Sequence, residues 1–389
     1  MVRRVKPARG ARRLWADRWI GPRSPDRQAH AALALMAALS VAAYLLAQSG
    51  MRGGGGDLHH PMVAAAELME AATVAIRDCR LALGVELSPD DVNRTGFIGV
   101  RYSPLTTTLG DLAAKRTTTN PNMAALLVRL LYEAGAERGD AVAIGASGSF
   151  PALIVATLAA AHAMGLHPIL ICSLGASQWG ANDPRFTWLE IEDCLVAAGV
   201  FPETYRAVAV SLGGDRDAAL ELDVEVRDAL VAAVASRGAR FLYEPDLARN
   251  VAERVRTYDA HAEGRRIAAF AGIGGNWADM GEDPAVLTLQ PGLNVLTVVP
   301  EGPGRGVALA MAADGIPLVH LLNMRGLTTR YGLPWDPSPL PRPGAGYFYA
   351  DAARGSWISF NILTMVYLGL MFALAMTWRR LLREAEERT

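Results

Sequence analysis

The segment Gly145-Ala-Ser-Gly-Ser149 lies between an apolar strand-like run and an Ala-rich helical stretch. A serine set among glycines at a strand-to-helix turn is the layout of a nucleophile elbow, G-x-S-x-G, which exposes the hydroxyl at a sheet edge. Ser149 stands where that pattern has its last glycine. A serine–acid–histidine set in that chain order can be drawn from Ser147, Asp279 or Asp283, and His320 at a late strand end. Its chemistry would be acyl transfer. In the plainer reading, Ser147 and Ser149 cap the next helix, Pro151 sits in its first turn, and His320 is a hydrogen-bonded strand-end histidine.

Two more turns carry similar chemistry: Ser173-Leu-Gly-Ala-Ser-Gln-Trp-Gly180 and Gly272-Ile-Gly-Gly-Asn-Trp277. Glycines such as Gly145, Gly148, Gly274 and Gly275 let backbone N–H groups come close to a ligand, and a helix N-terminus adds positive potential. With Ser149, Ser177, Gln178 and Asn276 they make a candidate anion or carboxylate pocket. The alternative is that the glycines only tighten βα turns. Lys115 is one of two lysines in a chain whose other basic side chains are arginine. A compact ammonium kept against that background suggests a specific task, or else an ordinary surface lysine. It sits in a hydroxyl-rich stretch, Thr106 to Pro121, which includes Thr107 and Thr108.

These turns need elements to hold them. Apolar runs at 96–102, 141–144, 168–172, 207–210, 241–243, 267–270, 294–299 and 318–321 read as strands. Helical stretches at 62–83, 121–134, 151–164, 188–198, 218–236, 247–258 and 307–313 alternate with them. Strands apolar throughout, alternating with helices, predict an α/β domain: a mostly parallel, Rossmann-like sheet covered on both faces. In such a sheet, ligands bind at the carboxyl ends of the strands. Pro334 to Gly346 reads as a stiff Pro-rich linker.

Two uncharged runs flank the domain, at 31–48 and 357–378, and the second has Trp357 and Trp378 at its ends. They predict two transmembrane helices. Residues 1–30 carry nine Lys and Arg, and Arg379, Arg380 and Arg383 follow the second run. The positive-inside rule then predicts basic cytoplasmic tails at 1–30 and 379–389, with residues 49–350 outside the cell membrane. The tails carry net +7 and +1, so the remainder is −9 within a chain total of −1. An acidic outer domain holds no polyanion by bulk charge, and nucleic acid is not an expected partner. The cysteines are three, Cys79, Cys172 and Cys194. An odd count does not suggest a disulfide framework, and Cys172 in its apolar run reads as a buried hydrophobe. No zinc-type spacing and no GxxxxGK[ST] loop occur, so neither a metal, a cofactor nor direct ATP hydrolysis is expected.

The chain resembles the membrane family called poly-γ-glutamate system protein. The matching passages are Tyr102 to Asn122, Val142 to Leu153, Ser173 to Trp188, Gly272 to Gly281 and Arg330 to Pro341. The resemblance implies a role in making or exporting poly-γ-glutamate at the cell envelope, with the polymer, the membrane and other synthase components as partners. It implies no catalytic residues. The expectation is an accessory component whose outer domain contacts the polymer through the three turns, with Lys115 and its hydroxyl neighbours assisting. The rivals are a serine-dependent amidase or transferase built on Ser147, and a scaffold acting through helices and tails.

Overall fold

The computed structural model describes residues 33–44, 58–299, 301–346, 348–349 and 356–386; in the last stretch, side chains are described for 364–380 and 383. The chain divides into two compact units, residues 55–352 and the two chain ends. In the unit of chain ends, a helix over residues 33–44 and a helix Ser356–Glu386 share a contact between the hydroxyls of Ser40 and Tyr367, 2.8 Å apart. Among the described residues no helix is long and apolar enough to cross a membrane. The runs expected to span, 31–48 and 357–378, both extend past the residues whose side chains are described. The basic tail 1–30 and the glycines 53–56 lie outside the described residues altogether.

The large unit is α/β. A long helix α1 (His59–Ala82) is followed by β1 (Thr106–Thr108), α2 (Leu112–Thr118) and α3 (Asn122–Glu133). Then come β2 (Ala141–Ser147), α4 (Pro151–Met164), β3 (His167–Ser173), β4 (Ala176–Ser177), α5 (Trp188–Ala197) and β5 (Ala209–Ser211). The second half holds α6 (Val224–Ser236), α7 (Leu247–Ala262), β6 (Ile267–Ile273), α8 (Trp277–Met280), β7 (Gly292–Asn294), α9 (Val307–Ala313), β8 (Leu318–Leu321) and α10 (Met324–Tyr331). The main sheet has the order β5-β3-β2-β6-β8-β7, parallel throughout except for β7, which runs antiparallel to β8. A small parallel pair, β1 with β4, stands apart from it.

Every residue of β2 is buried because helices cover both sheet faces. Val142, Ile144 and Ala146 point into the core made with α1, α3, α4 and α5. Ala141 and Ala143 point into the other, made with α7 and α9. Helix α4 is buried all around from Pro151 to Ala161, which explains its alanines: neighbouring helices approach it from several sides. It ends at Gly165, whose φ of 68° supplies the left-handed cap.

Four expectations are corrected. The strand expected at 294–299 is the short β7, which ends at Asn294, and 295–299 form none. Residues 96–102 form no strand. They are held without a strand ladder: Gly99 N–H donates to the Trp179 carbonyl and Trp179 N–H to the Val100 carbonyl, the Asn182 side chain bonds both the N–H and the carbonyl of Val100, and Arg80 of α1 donates to the Gly96 carbonyl at 2.9 Å. The run at 241–243 makes one bridge to Val210 in place of a strand. The odd cysteine count hid a pairing: Cys79 of α1 is disulfide-bonded to Cys194 of α5, 115 positions away, leaving Cys172 buried and free. The Pro-rich segment 334–346 also does more than connect. Asp336 pairs with Arg116, its N–H donates to Thr117 Oγ1 at 2.8 Å, and the Pro337 carbonyl accepts from Asn93 at 2.8 Å. Across Ser338–Pro339 the peptide bond is cis.

Candidate functional site

The chain leaves β2 for β3 and β5 on one side, then returns for β6 and β8 on the other. The order therefore reverses between β2 and β6. At the carboxyl edge of such a switch point, the connections diverge and leave a crevice. A cavity of about 680 Å³ occupies it, within the range of sites for small organic ligands. Its walls come from the turns after β2, β3, β6 and β8, closed by β1 and α2.

Of the residues singled out in the sequence, Lys115, Thr107, Thr108, Ser147, Ser149, Ser177, Gly275 and Asn276 line this cavity. Gly145, Gly148, Gly274, Gln178, Asp279 and His320 do not. Their roles are positional. A Cβ on Gly145 would sit 2.6 Å from the Asp279 carboxylate. Gly274 has φ +82°, and a Cβ there would lie 2.8 Å from Ser147 Oγ. Gly148 N–H donates to the Ser173 carbonyl at 2.8 Å, and Gln178 Oε1 accepts from Gly110 N–H at 3.0 Å.

Lys115 is the central finding. Asp111 caps α2 by accepting from Ala114 N–H, so Lys115 lies one turn in, directed at the cavity wall. The side chain is 3% exposed. Its ammonium donates to the Ser149 carbonyl and, at 2.7 Å, to Ser177 Oγ, and sits 3.6 Å from the Phe150 ring centre. Among the described residues it forms no ion pair. Burial lowers its pKa to about 7, against the opposing pull of Asp111. Ser149 also accepts the Ser177 N–H on its own hydroxyl, at 3.0 Å. This corrects the expected cap: the N-cap of α4 is Phe150, with no side-chain hydrogen bond, while Pro151 does open the helix.

Behind the cavity lies a buried charge cluster. Arg254, fully buried, pairs with Asp217 at 2.8 Å and donates to Ser211 Oγ and to Asn250 Oδ1, each at 2.9 Å. Burial works against the guanidinium charge, but Asp217 and Asp279 hold its pKa above the ordinary value. Asp279 stands 3.7 Å from Arg254, and neither of its oxygens has a hydrogen-bond partner. Burial pushes its pKa up to about 6, with Arg254 opposing and Asp217 adding repulsion.

The structure does not join Ser147, His320 and Asp279. Ser147 Oγ is buried without a partner. His320 pairs in register with Gly272, which pairs with Gly145, so it belongs to a row two residues short of Ser147 along β2. Burial alone lowers its pKa, with no carboxylate acting on it. Asp283, the other acid considered, caps the turn at Pro284–Thr288 by accepting from Ala285 N–H.

Sequence reasoning missed Arg325 and Trp335 in the cavity wall, the guanidinium 4.2 Å from the ring centre. Nothing local marks them: Arg325 opens a helix past a late strand, and Trp335 lies in the segment taken for a linker. Among the described residues no group of three or more His, Cys, Asp or Glu side chains could hold a metal ion. The fold defines an open-sheet α/β domain with a cavity at its switch point, the place where ligands bind in sheets of this kind. Comparison with protein-family models, with curated proteins and with solved structures returns no match.

Proposed function

We propose that this chain is a membrane-anchored envelope component of poly-γ-glutamate synthesis or export, and that its outer domain takes a short segment of the polymer into the switch-point cavity. The observation that carries this reading is the convergence of the three glycine-bearing turns and Lys115 on one cavity. Its hydroxyls, the Lys115 amine and the Arg325 guanidinium suit amide and carboxylate groups. Asp111, Asp215 and Glu221 on the same wall oppose retention of a long polyanion, as a protein that must release its polymer requires. The Cys79–Cys194 disulfide supports placing the domain in an oxidising, extracytoplasmic compartment. The uncharged runs at 31–48 and 357–378 and their basic flanks support two spanning helices with both termini in the cytoplasm.

Two measurements test it. Full-length protein in detergent should bind γ-linked glutamate oligomers in preference to α-linked ones of equal length, and more weakly after Arg325→Ala. Equal binding of both linkages, or none, refutes the ligand. Alkaline carbonate washing should leave the chain in the membrane fraction, and its release refutes the anchor.

A further inference from the structure

Lys115 and Ser177 form a pair that ligand binding alone does not explain. A carboxylate receptor is served by a planar guanidinium fork, such as Arg325 brings to the cavity wall. Lys115 is instead packed under Phe150 and hydrogen-bonded to a serine hydroxyl that lines the cavity; among the described residues it has no ion pair, and the pull of Asp111 is outweighed by burial. We infer that Ser177 is a nucleophile and Lys115 its general base, and that the cavity cleaves or transfers amide bonds of an anionic polyamide. This rests on the polymer-handling reading above and names the reaction.

The neutral amine is accessible near neutrality because burial lowers the lysine pKa to about 7. In that form its lone pair accepts the Ser177 hydroxyl proton, while an N–H still donates to the Ser149 carbonyl. The Phe150 face then steadies the ammonium that forms. Ser177 is itself positioned twice: β4 pairs with β1, and its N–H is tied to Ser149 Oγ. Ser177 Oγ attacks the amide carbon, forming a C–O bond as the hydroxyl proton passes to Lys115 Nζ. The tetrahedral intermediate collapses, the C–N bond breaks, and Lys115 returns the proton to the leaving amine. Water, or an amine acceptor, then attacks the ester. Lys115 takes the proton from that attacker, and it passes to Ser177 Oγ as the acyl group leaves. With water the products are one carboxylic acid and one amine. The unrelated serine hydrolases include Ser–Lys variants of the same logic.

The test uses full-length protein in detergent and a fluorophosphonate probe from pH 5.5 to 9, with the modified residue mapped by mass spectrometry. The expected result is label on Ser177, at a rate rising through about pH 7. Lys115→Arg, which keeps charge but cannot accept a proton, should slow labelling by ~100-fold or more. No label on Ser177, label on Ser147 instead, or a rate independent of pH overturns the inference. These wild-type readouts hold even if a variant misfolds. A γ-linked glutamate oligomer separates the two claims. Wild type should generate new chain ends, and Ser177→Ala should bind the oligomer without cutting it. Binding by wild type with no cleavage refutes the catalytic pair and leaves the binding role standing. No binding refutes the binding role, whereas label on Ser177 would still support the pair.

Discussion

Asp279→Asn should stabilise the protein at neutral pH. The wild-type carboxylate is 2% exposed, lacks any hydrogen-bond partner, and has its pKa raised from 3.8 to about 6. The folded state thus holds this proton more tightly than the unfolded state does. Between about pH 4 and 6 the folded chain binds more protons, so stability falls as pH rises through that window and the loss is complete above it. A shift of about two units corresponds to about 3 kcal/mol at pH 7.5. The amide has nearly the same shape and no charge to bury, and Arg254, 3.7 Å away, keeps its closer partner Asp217 at 2.8 Å. For a domain of this size the gain amounts to about 5 °C in midpoint. The assay is near-UV circular dichroism of the full chain in detergent, scanned thermally at pH 7.5 and pH 4. The variant should lead at pH 7.5 and converge with wild type at pH 4. A variant equal to or less stable than wild type at pH 7.5 would falsify the argument, because attraction to Arg254 would then outweigh burial.

Arg254→Met strips the cation from two buried carboxylates and should cost about 3–5 kcal/mol at pH 7.5, part of it recovered on acidification; a loss below about 1 kcal/mol in the same scan refutes the pairing. Lys115 has its folded pKa below the unfolded value, so the unfolded chain binds more protons between about pH 7 and 10, and wild-type stability should climb with pH over that range. Lys115→Met should remove that slope, and an unchanged slope counts against the buried amine. Cys194→Ala opens a link across 115 positions and should lower stability by about 2–5 kcal/mol. Iodoacetamide labelling of the denatured wild type should find one thiol before reduction and three after it.

What could be read from sequence was whatever depends on neighbours along the chain. The apolar runs at 141–144, 168–172, 267–270 and 318–321 announce strands covered on both faces, and the helices between them announce a parallel sheet; the strands themselves run on to Ser147, Ser173 and Ile273 in the first three cases. Given that, the turns after those strands had to gather at one edge, and the structure does bring Ser147, Ser149, Ser177, Gly275 and Asn276 to one cavity. Capping was less legible, because Ser149 serves Ser177 across the cavity rather than its own helix.

Strand order and long-range pairing were settled only by the tertiary structure. No local pattern states that β2 lies between β3 and β6, and that order is what puts the switch point and the cavity where they are. It also sets His320 in the row of Gly145, out of hydrogen-bond reach of Ser147, and turns Asp279 toward Arg254. The meeting of Lys115 with Ser177 spans 62 positions, and that of Cys79 with Cys194 spans 115. Asp336 reaches Arg116 across 220, fastening a supposed linker onto the cavity wall. Residue type and spacing were enough to nominate a lysine and a set of serines. Burial decides which serine the lysine touches and whether it keeps its proton, and burial belongs to the assembled fold.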